Sequence, residues 1–370
     1  MNRAAWIEVD LEAIRDNLKT IRKLIGPEVK IMSVVKADAY GHGAEQVAET
    51  AVHCGAKYLG VATVDEAARL ARLNLPAKIM ILSQPDVEAI PQILDFHLVP
   101  TVFTQQFALA LGEAADARGQ IADYQLKIDT GFNRIGVPWS DAAAFLHSID
   151  FHRALHLDGV FTHFATADEV DTSGVLLQLQ RFNEAIETIR YMGIKPGLIH
   201  AANSAATIRF RETHFDMVRV GLAQYGLHPS PVTQALATLK PAMSVHARIV
   251  RIEEVPFGEG VSYNWTYQSP GNVEVFTLPI GYADGLRRAL SNNFSVSIDG
   301  LAYRSAGNIC MDMSMYEHQL RPLYGTAPVE LKIGDEAVFP PMDELAATLG
   351  TISYELCCGF GARLEKVYKN

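Results

Sequence analysis

Lys36 ends the apolar run KIMSVVK and is followed at once by Asp38, Tyr40 and a Gly-His-Gly turn. Apolar strands rarely finish on a buried amine unless the amine is used. A desolvated lysine has a lowered pKa and can attack a carbonyl to form an imine. Other chemistry-bearing residues hold the same position, just after a short apolar run. DYQLKI leads to Lys127, Asp129 and the loop TGFNRIG with Arg134, and LHLDGVF leads to His163 in THFATADE. GLIH leads to HAANSAA with Asn203 and Ser204, while DMVRV carries Arg219 and leads to Gly221 and Leu222.

Taken singly, most have an ordinary explanation. Lys36 could snorkel from a strand end, and His163 could be a hydrogen-bonded core histidine. Ser204 could cap the helix that follows, and Gly221 could be a plain turn glycine. Arg219 is harder to dismiss, because a guanidinium inside a strand needs a partner. Together they make a pattern. The Ser204 hydroxyl and the backbone N–H groups of Gly221 and Leu222 could cradle a phosphate. An imine-forming lysine at one end and a phosphate cradle at the other describe pyridoxal 5′-phosphate, its ring lying between the two.

The elements that must carry these residues alternate. Candidate strands are residues 30–36, 57–62, 78–82, 97–103, 123–128, 155–161, 197–200 and 216–220. Helical stretches lie between them, among them VDEAARLARL and GVLLQLQRFNEAIETIRYMG, where Leu176, Leu179, Ile186 and Ile189 recur at helical spacing. Eight strands, each followed by a helix, is the count of a (β/α)8 barrel, whose functional residues sit on the loops at the C-terminal strand ends. After Pro229 and Pro231 the segments SVHARIVRIEEV, VEVFTLPI, FSVSI and EAVFP read as strands separated by Gly, Pro and Asn turns. The expected class is α/β: a TIM-like barrel over residues 1–233 followed by a mainly-β domain over residues 234–370.

The formal net charge of −10 over 370 residues leaves no basic footprint for nucleic acid or an anionic membrane. No apolar run reaches the roughly 18 residues a spanning helix needs. The start, MNRAAWIEVD, is not of signal-peptide type, so the cytoplasm is the expected compartment. Cys54, Cys310, Cys357 and Cys358 make neither a disulfide framework nor a zinc motif, and no metal is expected.

VVKADAYGHG, KIDTGFNRIG, THFATADE, HAANSAA, VRVGLAQYGLHPS, GVSYN, LPIGYADG, ICMDM and TISYE, in this order, closely resemble the bacterial alanine racemase family. The resemblance implies a barrel that binds pyridoxal 5′-phosphate, followed by a β domain. It implies that Lys36 carries the cofactor as an imine and that Tyr40, Ser204, Gly221, Leu222 and Tyr354 hold its phosphate. Arg219 should face the pyridine nitrogen, His163 should lie near the ring with Asn203 nearby, and Arg134 should lie near the substrate. Tyr263 matches the family's second catalytic base and Met311 the residue whose backbone N–H meets the substrate carboxylate. Both are expected from the partner subunit, so a homodimer is implied. Lys127 matches a position that is often carbamylated (N6-carboxylysine), which would turn repulsion from Arg134 into an ion pair. Tyr354 and Tyr282 match residues lining a narrow entrance, which suits alanine, with serine as a slow second substrate.

The sequence departs from the family at Phe132 and Asn133 and around Arg363. The implied reaction interconverts L- and D-alanine with two bases, supplying D-alanine for the cell wall or degrading it. Rival readings are a decarboxylase of the same architecture, a non-catalytic pyridoxal-phosphate binder and a cofactor-free Schiff-base aldolase. A donor-only arginine at the pyridine nitrogen favours racemisation over decarboxylation.

Overall fold

The computed structural model describes residues 3–319, 330–361 and 363–370. Strand β1 (Ala5–Asp10) precedes the barrel strands β2 (Lys30–Val34), β3 (Tyr58–Val61), β4 (Lys78–Ile81), β5 (Val99–Val102), β6 (Ala122–Asp129), β7 (Leu155–Phe161), β8 (Leu198–His200) and β9 (Met217–Val220). All eight strands expected up to residue 220 form. They pair in parallel in the order β9-β2-β3-β4-β5-β6-β7-β8. The seam between β8 and β9 is closed by fewer bonds: Asp216 N–H to the Ile199 carbonyl and Arg219 N–H to the Ala202 carbonyl, both at 3.0 Å. The Asp216 carboxylate also accepts the Ile199 N–H at 2.7 Å.

Met32, Tyr58, Met80, Val99, Phe161 and Met217 form an apolar cluster from inward-facing strand positions. Burying such side chains contributes about 1.5–3 kcal/mol each and sets the register of the strands that bear them. In the helix Ser173–Tyr191 the buried face is Val175, Gln178, Phe182, Ala185, Ile186 and Ile189. Leu176 is exposed, contrary to the expected stripe. The polar Gln178 takes the inward place because its amide donates to Thr130 Oγ1 and the His163 carbonyl and accepts the Ala165 N–H.

The strand that ends near Lys36 is pinned from behind. Ser33 Oγ donates to Gln224 Oε1 at 2.7 Å, and Gln224 Nε2 and Tyr225 OH donate to the Val34 carbonyl at 3.0 and 2.8 Å. Gln224 lies in the short 3-10 turn Leu222–Tyr225 that follows β9, so β2 and the cradle segment share one buried anchor.

By contacts the chain falls into two compact units. One holds Ala13–Ala39 and Gly43–Lys240; the other holds residues up to Glu12, Tyr40–His42 and Pro241–Asn370. The expected division gave residues 1–233 to the barrel; β1 instead belongs to the second unit's sheet, where it lies between two strands. There β1 pairs antiparallel with β10 (Met243–Arg248), Ile7 opposite Val245, and parallel with the C-terminal strand Glu365–Lys369. SVHARIVRIEEV, expected as one strand, is two. After Ile249 bonds to Asp335 and Val250 to Thr277, the chain leaves that sheet and enters another as β11 (Arg251–Val255).

Replacing Gln224 with leucine should destabilise the barrel by about 2–3 kcal/mol, because it removes bonds to two buried oxygens. Urea unfolding followed by circular dichroism checks this.

Candidate functional site

Immediately after β2 the backbone turns left-handed. Ala37, Asp38 and Ala39 have φ of 52°, 52° and 56°, and Tyr40 continues at 51°. Non-glycine residues in this conformation cost about 1–2 kcal/mol each. Two carboxylates offset that strain. Glu66 accepts the Ala37 N–H at 2.7 Å and, with its other oxygen, the Ala62 N–H at 2.8 Å. Asp38 accepts the Ala44 N–H at 2.9 Å. Lys36 therefore leaves its strand in a fixed direction rather than on a loose loop. Thr63 and Glu66 form a capping box, a signal visible in the sequence, but the reach of Glu66 to Ala37 is not.

Arg219 lies almost fully buried in the barrel. Its guanidinium donates to His200 Nδ1 at 2.9 Å, to the Thr162 and Ala201 carbonyls at 2.8 Å and to His163 Nδ1 at 3.2 Å. Burial pushes its pKa down to about 9. An arginine only donates, so each histidine must offer it a lone pair on Nδ1. Burial first, then the charge of Arg219, hold His200 and His163 well below the ordinary histidine range. His163 retains partial surface exposure, but the close packing around its ring and the charges of Lys127, Arg134 and Lys36 act in the same direction.

Lys127 is enclosed, and its Nζ has no hydrogen-bond partner among the described residues. The nitrogen sits 4.7 Å from the centre of the Phe161 ring. Burial, Arg219 and Arg134 drive its pKa well below that of an ordinary lysine, against a smaller opposing effect of Asp129. Asp129 is otherwise engaged: one oxygen accepts the N–H groups of Gly131, Phe132 and Asn133 and shapes the loop to Arg134. Phe132, one of the departures, stands between two site residues. The Arg134 guanidinium lies 4.2 Å from its ring centre, and the His163 ring meets it edge-on at 5.5 Å.

Ser204 does not cap the helix Ser204–Arg209; Asn203 does, accepting the Ala206 N–H at 3.0 Å. Ser204 is free of that duty, and its Oγ accepts the N–H groups of Gly221 at 3.0 Å and Ala223 at 3.3 Å. Hydroxyl and amides thus converge at one buried point at the end of β9, with the Ala223 N–H in the place expected for that of Leu222.

In the second unit, the Tyr40 and Tyr354 rings meet edge-on, 5.7 Å apart. Burial, followed by Tyr354 and Cys358, raises the Tyr40 pKa far above that of a free phenol. Gly41, at φ 80°, is held so close that a Cβ there would lie 2.3 Å from the Cys357 carbonyl oxygen. Tyr263 and Met311 line one open groove of about 950 Å³ with Met313 and Met315. Both are exposed. Ser262 and Asn264 flank Tyr263 at φ of 66° and 64°, and the Tyr263 carbonyl accepts from Asn308 at 2.6 Å. Arg363, around which the sequence departs, pairs with Asp312 and Asp284.

A family model described as the alanine racemase N-terminal domain matches residues 9–229, and one for the C-terminal domain matches residues 242–368. The chain belongs to the alanine racemase family. It is 40% identical to an alanine racemase of Desulforamulus reducens over all of both chains. It is 38% identical to one of Synechocystis over 99% of each. An alanine racemase structure from Clostridium difficile 630 superposes with a TM-score of 0.94 at 32% identity, covering 100% of this chain and 96% of that one. One from Bacillus anthracis with bound L-Ala-P gives 0.91 at 35% identity, covering 100% and 95%. These relatives share the barrel and the mainly-β unit. No helix among the described residues is long and apolar enough to cross a membrane.

A histidine whose folded pKa is depressed leaves the folded chain with fewer bound protons than the unfolded chain once pH falls below about 6.5. His163 and His200 therefore contribute stability that is present above that pH and is lost below it, by up to about 1.4 kcal/mol per pH unit each. Urea midpoints should fall between pH 7.5 and 5.5, and His200→Gln should make that fall shallower.

Proposed function

We propose that this chain racemises alanine with pyridoxal 5′-phosphate and two bases, Lys36 and Tyr263. Interconversion of L- and D-alanine is the reaction of the family to which it belongs. The observation that carries the cofactor reading is the buried pairing of Ser204 with the Gly221 and Ala223 N–H groups, beside the donor-only Arg219. These donors fit an anionic phosphate and an unprotonated ring nitrogen. When bound, the cofactor supplies an electron-withdrawing ring that makes the Cα–H bond of an amino acid labile.

Lys36 would hold the aldehyde end, and Ser204, Gly221, Leu222, Tyr40 and Tyr354 the phosphate. Arg219 would face the ring nitrogen, with His163 and Asn203 near the ring. The Lys36 amine would remove or return the proton on one face of Cα. Tyr263 of the partner subunit does so on the other face, and inversion follows from the opposite placement. Its exposure on this chain suits a residue offered to a second subunit. Arg134 and the Met311 N–H of the partner subunit would orient the carboxylate. The Tyr354 and Tyr282 side chains would narrow the entrance and favour a methyl side chain.

Lys127 is proposed to be carbamylated. Its depressed pKa leaves an uncharged amine that attacks the carbon of CO2, forms an N–C bond and releases a proton. The resulting carboxylate would accept from Arg134. A carbon-13 signal from labelled CO2, absent in Lys127→Ala, tests this.

In D2O with L-alanine, the loaded protein should erase optical rotation while placing deuterium at Cα. Lys36→Ala should lose the visible band of the bound cofactor and at least about 10⁴-fold of activity, and Tyr263→Phe about 10²–10⁴-fold. Heterodimers of the two variants should recover one intact site in subunit-mixing assays. No recovery in verified heterodimers removes the shared-site reading, and unchanged handedness removes the reaction.

A further inference from the structure

His200, which accepts from Arg219, is itself held from behind. Its Nε2 meets Gln125 Oε1 at 2.6 Å, and Gln125 Nε2 donates to Asp158 Oδ2 at 2.8 Å. Gln125 and His200 are completely buried and Asp158 nearly so. Asp158 also accepts from the Tyr58 hydroxyl at 2.9 Å and from the Lys78 ammonium. A continuous hydrogen-bonded line thus runs through the barrel from Arg219 through His200 and Gln125 to Asp158.

The two ends give this line one polarity. Arg219 can only donate and an ionised Asp158 can only accept. The intervening groups then have a single consistent arrangement. His200 carries its proton on Nε2, and Gln125 turns its oxygen to His200 and its NH2 to Asp158. Every donor points the same way, so the bonds polarise one another. A column of neutral residues brings the influence of a carboxylate to a guanidinium that has no carboxylate of its own among its bonding partners.

We infer that Gln125 and Asp158 are positioning residues for the reaction: through His200 they set the direction in which Arg219 presents its guanidinium. For its consequence in catalysis, this rests on the reading that Arg219 faces the cofactor ring. The residues lie on β6 (Gln125), β7 (Asp158), β8 (His200) and β9 (Arg219), four successive strands of the sheet. Small errors in this column would therefore pass to the site without disturbing any residue that touches substrate.

The test uses loaded protein labelled with nitrogen-15 in histidine. In the native chain His200 should show its proton on Nε2 and an accepting Nδ1. Asp158→Asn allows the Gln125 amide to reverse, so the His200 signals should shift or become mixed. Asp158→Asn should also lower kcat about 10- to 100-fold while KM changes little. Gln125→Met should do the same if Asp158→Asn does not fold. Lys78→Met touches Asp158 from outside the column and should leave both the His200 signals and kcat near native. A native His200 protonated on Nδ1, or His200 signals untouched by Asp158→Asn and Gln125→Met, overturns the inference. Signals that move while kcat holds leave the column intact and overturn instead its importance for catalysis, without bearing on whether Arg219 faces the ring.

Discussion

A guanidinium buried inside a barrel is the constraint around which this molecule is arranged. Taking such a charge out of water is costly unless its donors are met. Arg219 meets two backbone carbonyls and two imidazole nitrogens, and no carboxylate lies among those partners. Each partner is thereby committed. His163 and His200 must present lone pairs, and both are kept neutral by burial and by the same cation. The loops that supply the Thr162 and Ala201 carbonyls are held at the ends of β7 and β8. Gln178 secures the first of these loops through the His163 carbonyl.

Around that centre the barrel gathers basic side chains. Lys127 is enclosed beside Arg219 and Arg134, and Lys36 adds to the field felt by His163. Asp129 is the carboxylate that opposes it at Lys127, and that group is occupied in building the loop to Arg134. At the end of β9 the Ser204 hydroxyl meets the amides of Gly221 and Ala223. The strained turn after β2 belongs to the same economy of placement. Four left-handed residues persist with Glu66 holding the Ala37 N–H and Asp38 tying the turn to the Ala44 N–H beyond it.

Much of this was legible in the residue order. The barrel strands show themselves as apolar runs, since each is buried on both faces. Lys36, His163, Ser204 and Arg219 stand out because polar residues at the ends of such runs need partners. Less legible were residues whose sequence surroundings are ordinary. Gln125 sits inside DYQLKI, Asp158 inside LHLDGVF and Gln178 inside a helix that otherwise reads as amphipathic. Nothing local distinguishes a buried amide from a solvated one; its partners are 33 and 75 residues away for Gln125. The helix buries Ile186 and Ile189 as expected but not Leu176, because Gln178, bonded to Thr130 and the His163 carbonyl, takes the inward place.

Local pattern was enough to establish an eight-stranded barrel, a following run of antiparallel strands and the motifs of one family, because periodicity and turn chemistry act over a few residues. Long-range pairing had the deciding part elsewhere. It drew Ala5–Asp10 into the sheet of the second unit and split SVHARIVRIEEV between two sheets. It gave the capping role to Asn203, leaving the Ser204 hydroxyl to the Gly221 and Ala223 amides. Those outcomes depend on which distant donors and acceptors remain unsatisfied after burial, a quantity that exists only once the chain has closed on itself.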